Sequence, residues 1–272
     1  GWGGVCSVDV QLVAMRGGER KKWFARDPLA GIDKVKHTVA VASGKGGVGK
    51  TTVAVNVALA LQKHGYKVGL LDADVYGPSI PLMLGISEKP EMEVGMILPA
   101  EKFGLKILSI GMMLKKGQAV IWRGPLVTGA IRQLLGDVMW GELDYLIIDL
   151  PPGTGDPSIT ITKEIPEMQV LMVTTPQEVA LIDVRRAVEL FAKMERPVLG
   201  FIENMSYFQD PHSTKRLEIF GSGGGQKLSL ETGLPLLGSI PLDMDISRSG
   251  DSGVPMMISS PDSETANIFL DI

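Results

Sequence analysis

Apolar residues fall along this chain in two alternating textures. Thr38-Val39-Ala40-Val41-Ala42, Lys67 to Asp72, Leu105 to Ile110, Asp144 to Leu150, Gln169 to Thr175, Pro197 to Ile202 and Leu236 to Ile240 are short, nearly continuous apolar runs. Rich in Val, Ile and Leu and bounded by acids, Gly or Pro, such runs predict strands buried on both faces. Between them apolar positions recur at helical spacing: Val53, Val57 and Leu61 after the first run, then Leu126 to Leu135, then Val179 to Met194. Met112-Met113 follow the third run, and Ala119 to Trp122 lead into Arg123-Gly124-Pro125. A last helix is expected to start at Pro261-Asp262-Ser263-Glu264, where proline and a capping serine precede the final apolar residues. Strands alternating with helices predict one doubly wound α/β domain, a mostly parallel sheet with helices on both faces and ligands at the strands' carboxyl ends. That domain is expected over residues 37–272. Residues 1–36, irregular and charge-rich from Arg16 to Lys22, read as a leader.

The turn between the first strand and the first helix carries the densest chemical signal. Gly44-Lys45-Gly46-Gly47-Val48-Gly49-Lys50-Thr51-Thr52 fits the phosphate-binding pattern G-x-x-x-x-G-K-[ST], in the strand–loop–helix setting that the pattern requires. Its glycines let backbone N–H groups converge on an anion, and the helix N-terminus adds partial positive charge at the same point. A nucleoside triphosphate is the expected ligand, with Lys50 on the β- and γ-phosphates and Thr51 supplying a hydroxyl to Mg²⁺. Acids stand at other strand ends. Asp149 closes the apolar run of DYLIID, the Walker B position, and is expected to hold Mg²⁺ directly or through water. Asp72 and Asp74 follow the second strand. Gly153-Thr154-Gly155-Asp156 has the glycines of a loop that responds to a γ-phosphate. Helix capping is the plain alternative role for each acid. Guanine-selective NTPases use N-K-x-D, whereas here the matching strand ends in Glu203-Asn204-Met205-Ser206, without that acid. Adenine is therefore the expected base.

Composition narrows the partners. With 27 basic and 31 acidic side chains among 272 residues, the net charge of −4 gives no electrostatic footprint for nucleic acid. No apolar run is long enough to span a membrane. Gly1-Trp2-Gly3-Gly4 lacks the basic-then-apolar build of a signal peptide, and the one cysteine, Cys6, allows no intrachain disulfide, so a cytoplasmic location is the expectation.

Lys45, directly after the first glycine of the loop, makes the motif resemble that of the deviant-Walker ATPases, the group of MinD, ParA, nitrogenase iron protein and ArsA. The resemblance implies a nucleotide-sandwich homodimer in which Lys45 reaches the partner's phosphates. It also implies that Asp74 positions or deprotonates the attacking water, that Asp72 lies in the Mg²⁺ shell, and that Asn204 hydrogen-bonds the base while the turn at Pro241 covers it. A longer series is similar, in order and spacing, to the Mrp/ApbC family of ATPases that carry iron–sulfur clusters: SGKGGVGKTT, DADVYGPSIP, VIWRGP, DYLIIDLPPGTGD, TTPQEVAL, ENMSYF, IFGSGGG and LGSIPLD. The similarity covers residues 37 to 272.

One departure bears on function. Where that family has a C-P-x-C pair after ENMSYF, this chain has Gln209-Asp210-Pro211-His212-Ser213-Thr214, so Asp210 and Ser213 stand at the cysteine positions. Clusters are held chiefly by thiolates, and the family's four-sulfur bridge between subunits cannot form from these side chains. Asp210 with His212 offers N/O ligands for zinc or another divalent ion, or simply a solvated Asp-Pro turn. The resemblance thus implies a Mg-dependent, ATP-hydrolysing homodimer with iron–sulfur client proteins, no nucleic acid and no membrane. Two other classes stay open: a spatial-organising switch of the MinD or ParA kind, and a non-catalytic nucleotide-gated scaffold.

Overall fold

The computed structural model describes residues 29–113, 124–165, 167–210 and 215–272. Most of the expected leader, the approach from Ala119 to Arg123, and Pro211 to Thr214 with His212 and Ser213 lie outside the described residues. In chain order the strands are β1 (Val35–Ser43), β2 (Val68–Asp72), β3 (Met92–Glu93), β4 (Met96–Ile97), β5 (Ala100–Lys102) and β6 (Leu105–Ser109). They continue as β7 (Leu143–Asp149), β8 (Gln169–Thr174), β9 (Val198–Glu203), β10 (Phe208–Gln209), β11 (Arg216–Leu217) and β12 (Leu236–Ser239). The helices are α1 (Lys50–Lys63), α2 (Ile80–Met83), α3 (Ile110–Met113), α4 (Gly124–Gly136) and α5 (Asp156–Glu164). After them come α6 (Glu178–Lys193), α7 (Gly224–Thr232), α8 (Met244–Ser252), α9 (Met256–Ser259) and α10 (Glu264–Asp271).

Eight strands form one sheet in the order β12-β9-β8-β1-β7-β2-β6-β5. All neighbours pair in parallel except β5, which returns antiparallel along β6. The expected doubly wound α/β architecture is present. The apolar runs are continuous because each strand feeds two cores at once. Ala40 and Ala42 of β1, Leu146 and Ile148 of β7, and Val170 and Met172 of β8 point into one, with Val127, Ile131, Val184 and Phe191 from α4 and α6. Val39, Val41, Ile147, Leu171 and Val173 point into the other, with Val53 and Leu59 of α1 and Phe269 of α10. Alternate residues take opposite faces of a strand, so both parities must be apolar.

Topology places the site. From β1 the chain passes through α1 to β2, leaving a gap that β7 later fills, and from β7 it crosses to β8 on the other side of β1. Connections thus diverge on either side of β1 and β7, and the carboxyl ends of these strands are where such sheets usually bind ligands. Register brings the acids there: Asp149 lies level with Asp72 of β2 and with Val41 of β1. One expected strand is shorter than its apolar run, because Ile110 opens α3 instead of ending β6. The last helix starts at Glu264, with the Ser263 hydroxyl accepting from the Ala266 N–H as its cap.

Candidate functional site

The loop from Gly44 to Gly49 leaves β1 and enters α1 with no side-chain cap at Gly49, so the helix's first N–H groups are left for another partner. Gly47 and Gly49 both sit at φ 81°, in the left-handed region open mainly to glycine. Space is also limited. A Cβ at Gly49 would lie 2.2 Å from Asn204 Nδ2, and one at Gly44 would lie 2.5 Å from the Asp183 backbone in α6. The Ser43 hydroxyl donates to the Lys45 carbonyl at 2.9 Å, and among the described residues none pairs with the Lys45 ammonium.

Lys50, the first residue of α1, is buried, and its Nζ lies 2.6 Å from Asp149 Oδ1 and 3.6 Å from Asp74 Oδ2. The Thr51 hydroxyl donates to the other Asp149 oxygen at 2.6 Å. The motif's lysine and threonine therefore converge on one fully buried carboxylate delivered by β7. Burial pushes the Asp149 carboxyl up, while the Lys50 ammonium and the Thr51 hydroxyl pull against that shift. An ammonium and a hydroxyl held by a neighbouring acid are groups an arriving phosphate and cation can draw away.

Asp74 Oδ1 accepts from the backbone N–H groups of Tyr76 and Gly77, which fixes this acid in the loop after β2 while its second oxygen faces Lys50. Asp72 is engaged differently. One of its oxygens accepts from the Asp74 N–H, and the other from the Ile80 N–H and the Ser109 hydroxyl. It thus ties β2 to the loop carrying Asp74, to the start of α2 and to β6. Burial, with the negative charge of Asp149 behind it, raises the Asp72 carboxyl to about 7, and its three donors only partly offset this. The buried Ser109 was not singled out from the sequence; its only signal there is a hydroxyl at the end of an apolar strand.

The base-side loop is also in place. The Asn204 side-chain amide donates to the Val48 carbonyl at 2.8 Å, tying the end of β9 to the phosphate loop. Ser206 N–H donates to the Ile240 carbonyl, which sets the buried Pro241 beside this loop. Pro151 to Gly155 run past the phosphate loop, with the Gly153 N–H donating to the Ser43 carbonyl and Pro152 facing Gly46. Asp210 stands apart, where the β10–β11 hairpin is closed by a bond from its N–H to the Lys215 carbonyl. The hairpin is pinned by Arg216, whose guanidinium lies 4.2 Å from the Tyr207 ring and 3.4 Å from Glu264. Among the described residues no three His, Cys, Asp or Glu side chains form a metal-holding group, and no helix is long and apolar enough to cross a membrane.

This geometry has close counterparts. Residues 34–272 match the family model of the NUBPL iron-transfer P-loop NTPases of the ParA group. The chain belongs to this family. Among relatives, an iron-sulfur cluster carrier protein of Synechocystis is 50% identical over 271 residues, spanning 97% of this chain and 75% of the relative. The iron-sulfur cluster transfer protein NUBPL of Dictyostelium discoideum is 45% identical over 244 residues, 89% of this chain and 76% of the relative. A nucleotide-binding protein of Archaeoglobus fulgidus, solved in complex with ADP, superposes with a TM-score of 0.75 at 39% identity, covering 84% of this chain and 90% of that one. MinD of Pyrococcus horikoshii shares the fold, with a TM-score of 0.64 at 24% identity over 86% of this chain and 93% of that one. Nucleotide binding by a P-loop NTPase fold and membership in an iron–sulfur cluster carrier family follow from these matches.

Proposed function

We propose that this protein is a Mg-dependent ATPase that works as a homodimer in iron–sulfur cluster transfer, with hydrolysis serving as a slow switch. The observation that carries this reading is the convergence of Lys50 and Thr51 on the buried Asp149 beside the phosphate loop. Lys50 would exchange Asp149 for the β- and γ-phosphates, and the N–H groups from Gly46 to Thr52 would line the phosphate chain. The donor set suits Mg²⁺: the Thr51 hydroxyl and Asp149 are hard oxygens, and Mg²⁺ ordinarily takes one or two protein ligands and completes its shell with phosphate and water. When bound, the ion supplies charge neutralisation along the phosphates. Asp72 supports the site by bracing the Asp74 loop, and Asp74, held by two N–H groups, would orient the attacking water and take its proton. Lys45, without an ion-pair partner among the described residues, is the group left to reach the second subunit's phosphates.

Adenine preference rests on Asn204. Because Val48 O is an acceptor, the amide must turn its NH₂ toward it, which leaves Oδ1 as the atom offered to a base. A carbonyl oxygen accepts from the adenine exocyclic amine and is repelled by the guanine carbonyl. ATP should therefore outcompete GTP by about tenfold or more, the scale of one base-edge contact. Competition binding with both nucleotides, followed by turnover with ATP and Mg²⁺, tests the reading; equal affinity would remove the adenine assignment, and binding without turnover would leave a scaffold. The cargo is a separate matter. Relatives are named as cluster carriers, but with Asp210 and Ser213 at the family's cysteine positions this chain would act in transfer without holding the four-sulfur bridge itself.

A further inference from the structure

Glu203, the last residue of β9, is buried to 2% exposure, and both of its carboxylate oxygens are committed. Oε1 accepts from the Ser206 hydroxyl and Oε2 from the Gly225 N–H, each at 2.5 Å. The first contact closes a turn over Asn204 and Met205. Met205 sits at φ 55°, a left-handed conformation that strains a side chain with a Cβ and persists only where neighbours hold it. Glu203 and Ser206 are the residues on either side of that strained pair. Their backbones are tied as well, through Ile240 N–H to the Glu203 carbonyl at 2.8 Å and Ser206 N–H to the Ile240 carbonyl at 2.9 Å.

The second contact anchors the turn to a helix. Gly225 is the second residue of α7, and a Cβ there would lie 2.7 Å from Leu236 and 3.2 Å from the Glu203 Cβ, so glycine permits the approach. The far side of α7 is held to α6 by Arg185, paired with Glu231 at 2.7 Å and Glu178 at 3.0 Å, and by Lys227, paired with Glu178 at 2.9 Å. Helix α6 in turn backs Gly44 of the phosphate loop. Glu203 is therefore the link between a rigid helix pair and the strained turn that presents Asn204.

We propose that Glu203 is a positioning residue for nucleotide-base recognition: by bridging Ser206 and the N-terminus of α7 it holds the Met205 turn in the conformation that aims Asn204. This rests on the reading of Asn204 as the adenine-recognising side chain. Removing the carboxylate leaves two donors unsatisfied and lets the turn relax, so recognition of the base should suffer, while the phosphate loop loses only the Asn204 tie at Val48 and keeps its N–H groups and Lys50 for the phosphates.

The test compares ATP with inorganic tripolyphosphate, which carries the phosphates without a base. Calorimetry on the full chain with Mg²⁺ should give wild-type tripolyphosphate affinity in Glu203→Ala and ATP affinity lowered by about tenfold or more. Glu203→Gln should recover most of the ATP affinity, because its Oε1 still accepts from Gly225 while its NH₂ donates to Ser206. Ser206→Ala removes one leg alone and serves if Glu203→Ala does not fold; it should lower the same ATP-to-tripolyphosphate ratio by less. An unchanged ratio in Glu203→Ala and Ser206→Ala would overturn the proposal, as would parallel loss of both ligands. If wild type itself gains nothing from the base, binding ATP no better than tripolyphosphate, the Asn204 reading fails and the proposal with it.

Discussion

Two lysines of one loop have different surroundings. Lys50 is buried against Asp149 and Asp74, whereas Lys45 pairs with no acid among the described residues. Lys50→Ala is expected to abolish measurable ATP binding and also to lower thermal stability, since it strands the buried Asp149 without its counter-charge, a loss of about 3–5 kcal/mol when one partner of a buried pair is removed. Lys45→Ala should keep the fold and much of the ATP binding but lose turnover and ATP-dependent dimer tightening. Calorimetry, turnover and sedimentation on the two variants decide between these roles. Equal binding loss in both, or full activity in Lys45→Ala, would remove the cross-subunit assignment. The loop was legible in the sequence because a phosphate-binding turn is local, its residues lying within nine consecutive positions, and Asp149 because it is the acid that closes a long apolar strand. Asp72 was legible only as an acid in the right place. Its bond to Ser109 spans 37 residues and exists because β2 and β6 are neighbours with Asp72 level with Ser109, a register that no short pattern encodes.

Elements were legible where burial forces both strand faces to be apolar, which is why the runs of β1, β2, β7, β8 and β9 stood out. Their spatial order was not, since insertion of β7 between β1 and β2 depends on pairing and not on composition. The antiparallel edge strand β5 was missed for a related reason. Ala100-Glu101-Lys102 carries no apolar run, because an edge strand lined by charge presents little surface to bury. Two predictions belong to this scale. Gly47 and Gly49 share φ 81°, but nothing lies within 4 Å of a Cβ at Gly47, while one at Gly49 strikes Asn204. Gly47→Ala should therefore cost about 1 kcal/mol of backbone strain, and Gly49→Ala distinctly more, with loss of the tie to Val48. Thermal unfolding orders the two, and equal losses would mean that Asn204 yields freely. The α6–α7 charge network gives the second. Arg185 holds the Glu231 carboxyl below its usual range, and Lys227, with Arg185 second, does the same for Glu178. Acids depressed in the fold stabilise it above their unfolded pKa, and that contribution is lost as pH falls through the folded value. Arg185→Met should accordingly lower the melting temperature at pH 7, and its gap from wild type should shrink as the pH falls below the usual glutamate range and through the depressed folded values. A gap that persists in acid would trace the loss to packing of the Arg185 stem instead.

At the scale of the whole molecule the question is how a family scaffold behaves after losing two sulfurs per chain. The family match runs over residues 34–272, but holding a cluster depends on the side chains at positions 210 and 213 within it. A symmetric dimer needs four thiolates to bridge a [4Fe–4S] cluster, and Asp210 with Ser213 offers only oxygen donors, which suit harder cations. Cys6, the one cysteine of the chain, would give only two thiols per dimer. Anaerobic reconstitution of the unmodified protein is therefore expected to leave no stoichiometric cluster. The hairpin base remains well anchored, through Phe208 and Gln209 paired with Leu217 and Arg216, and through Arg216 on Tyr207. If the chain pairs as proposed, Asp210→Cys with Ser213→Cys should supply four sulfurs per dimer and restore uptake, seen as a brown chromophore and an iron-to-sulfide ratio of about one. Cluster uptake by the unmodified chain would contradict the ligand argument. Failure of the double variant, with ATP binding intact, would mean that the hairpin tip has diverged in backbone as well as in side chains, and that this family member serves transfer through its nucleotide switch alone.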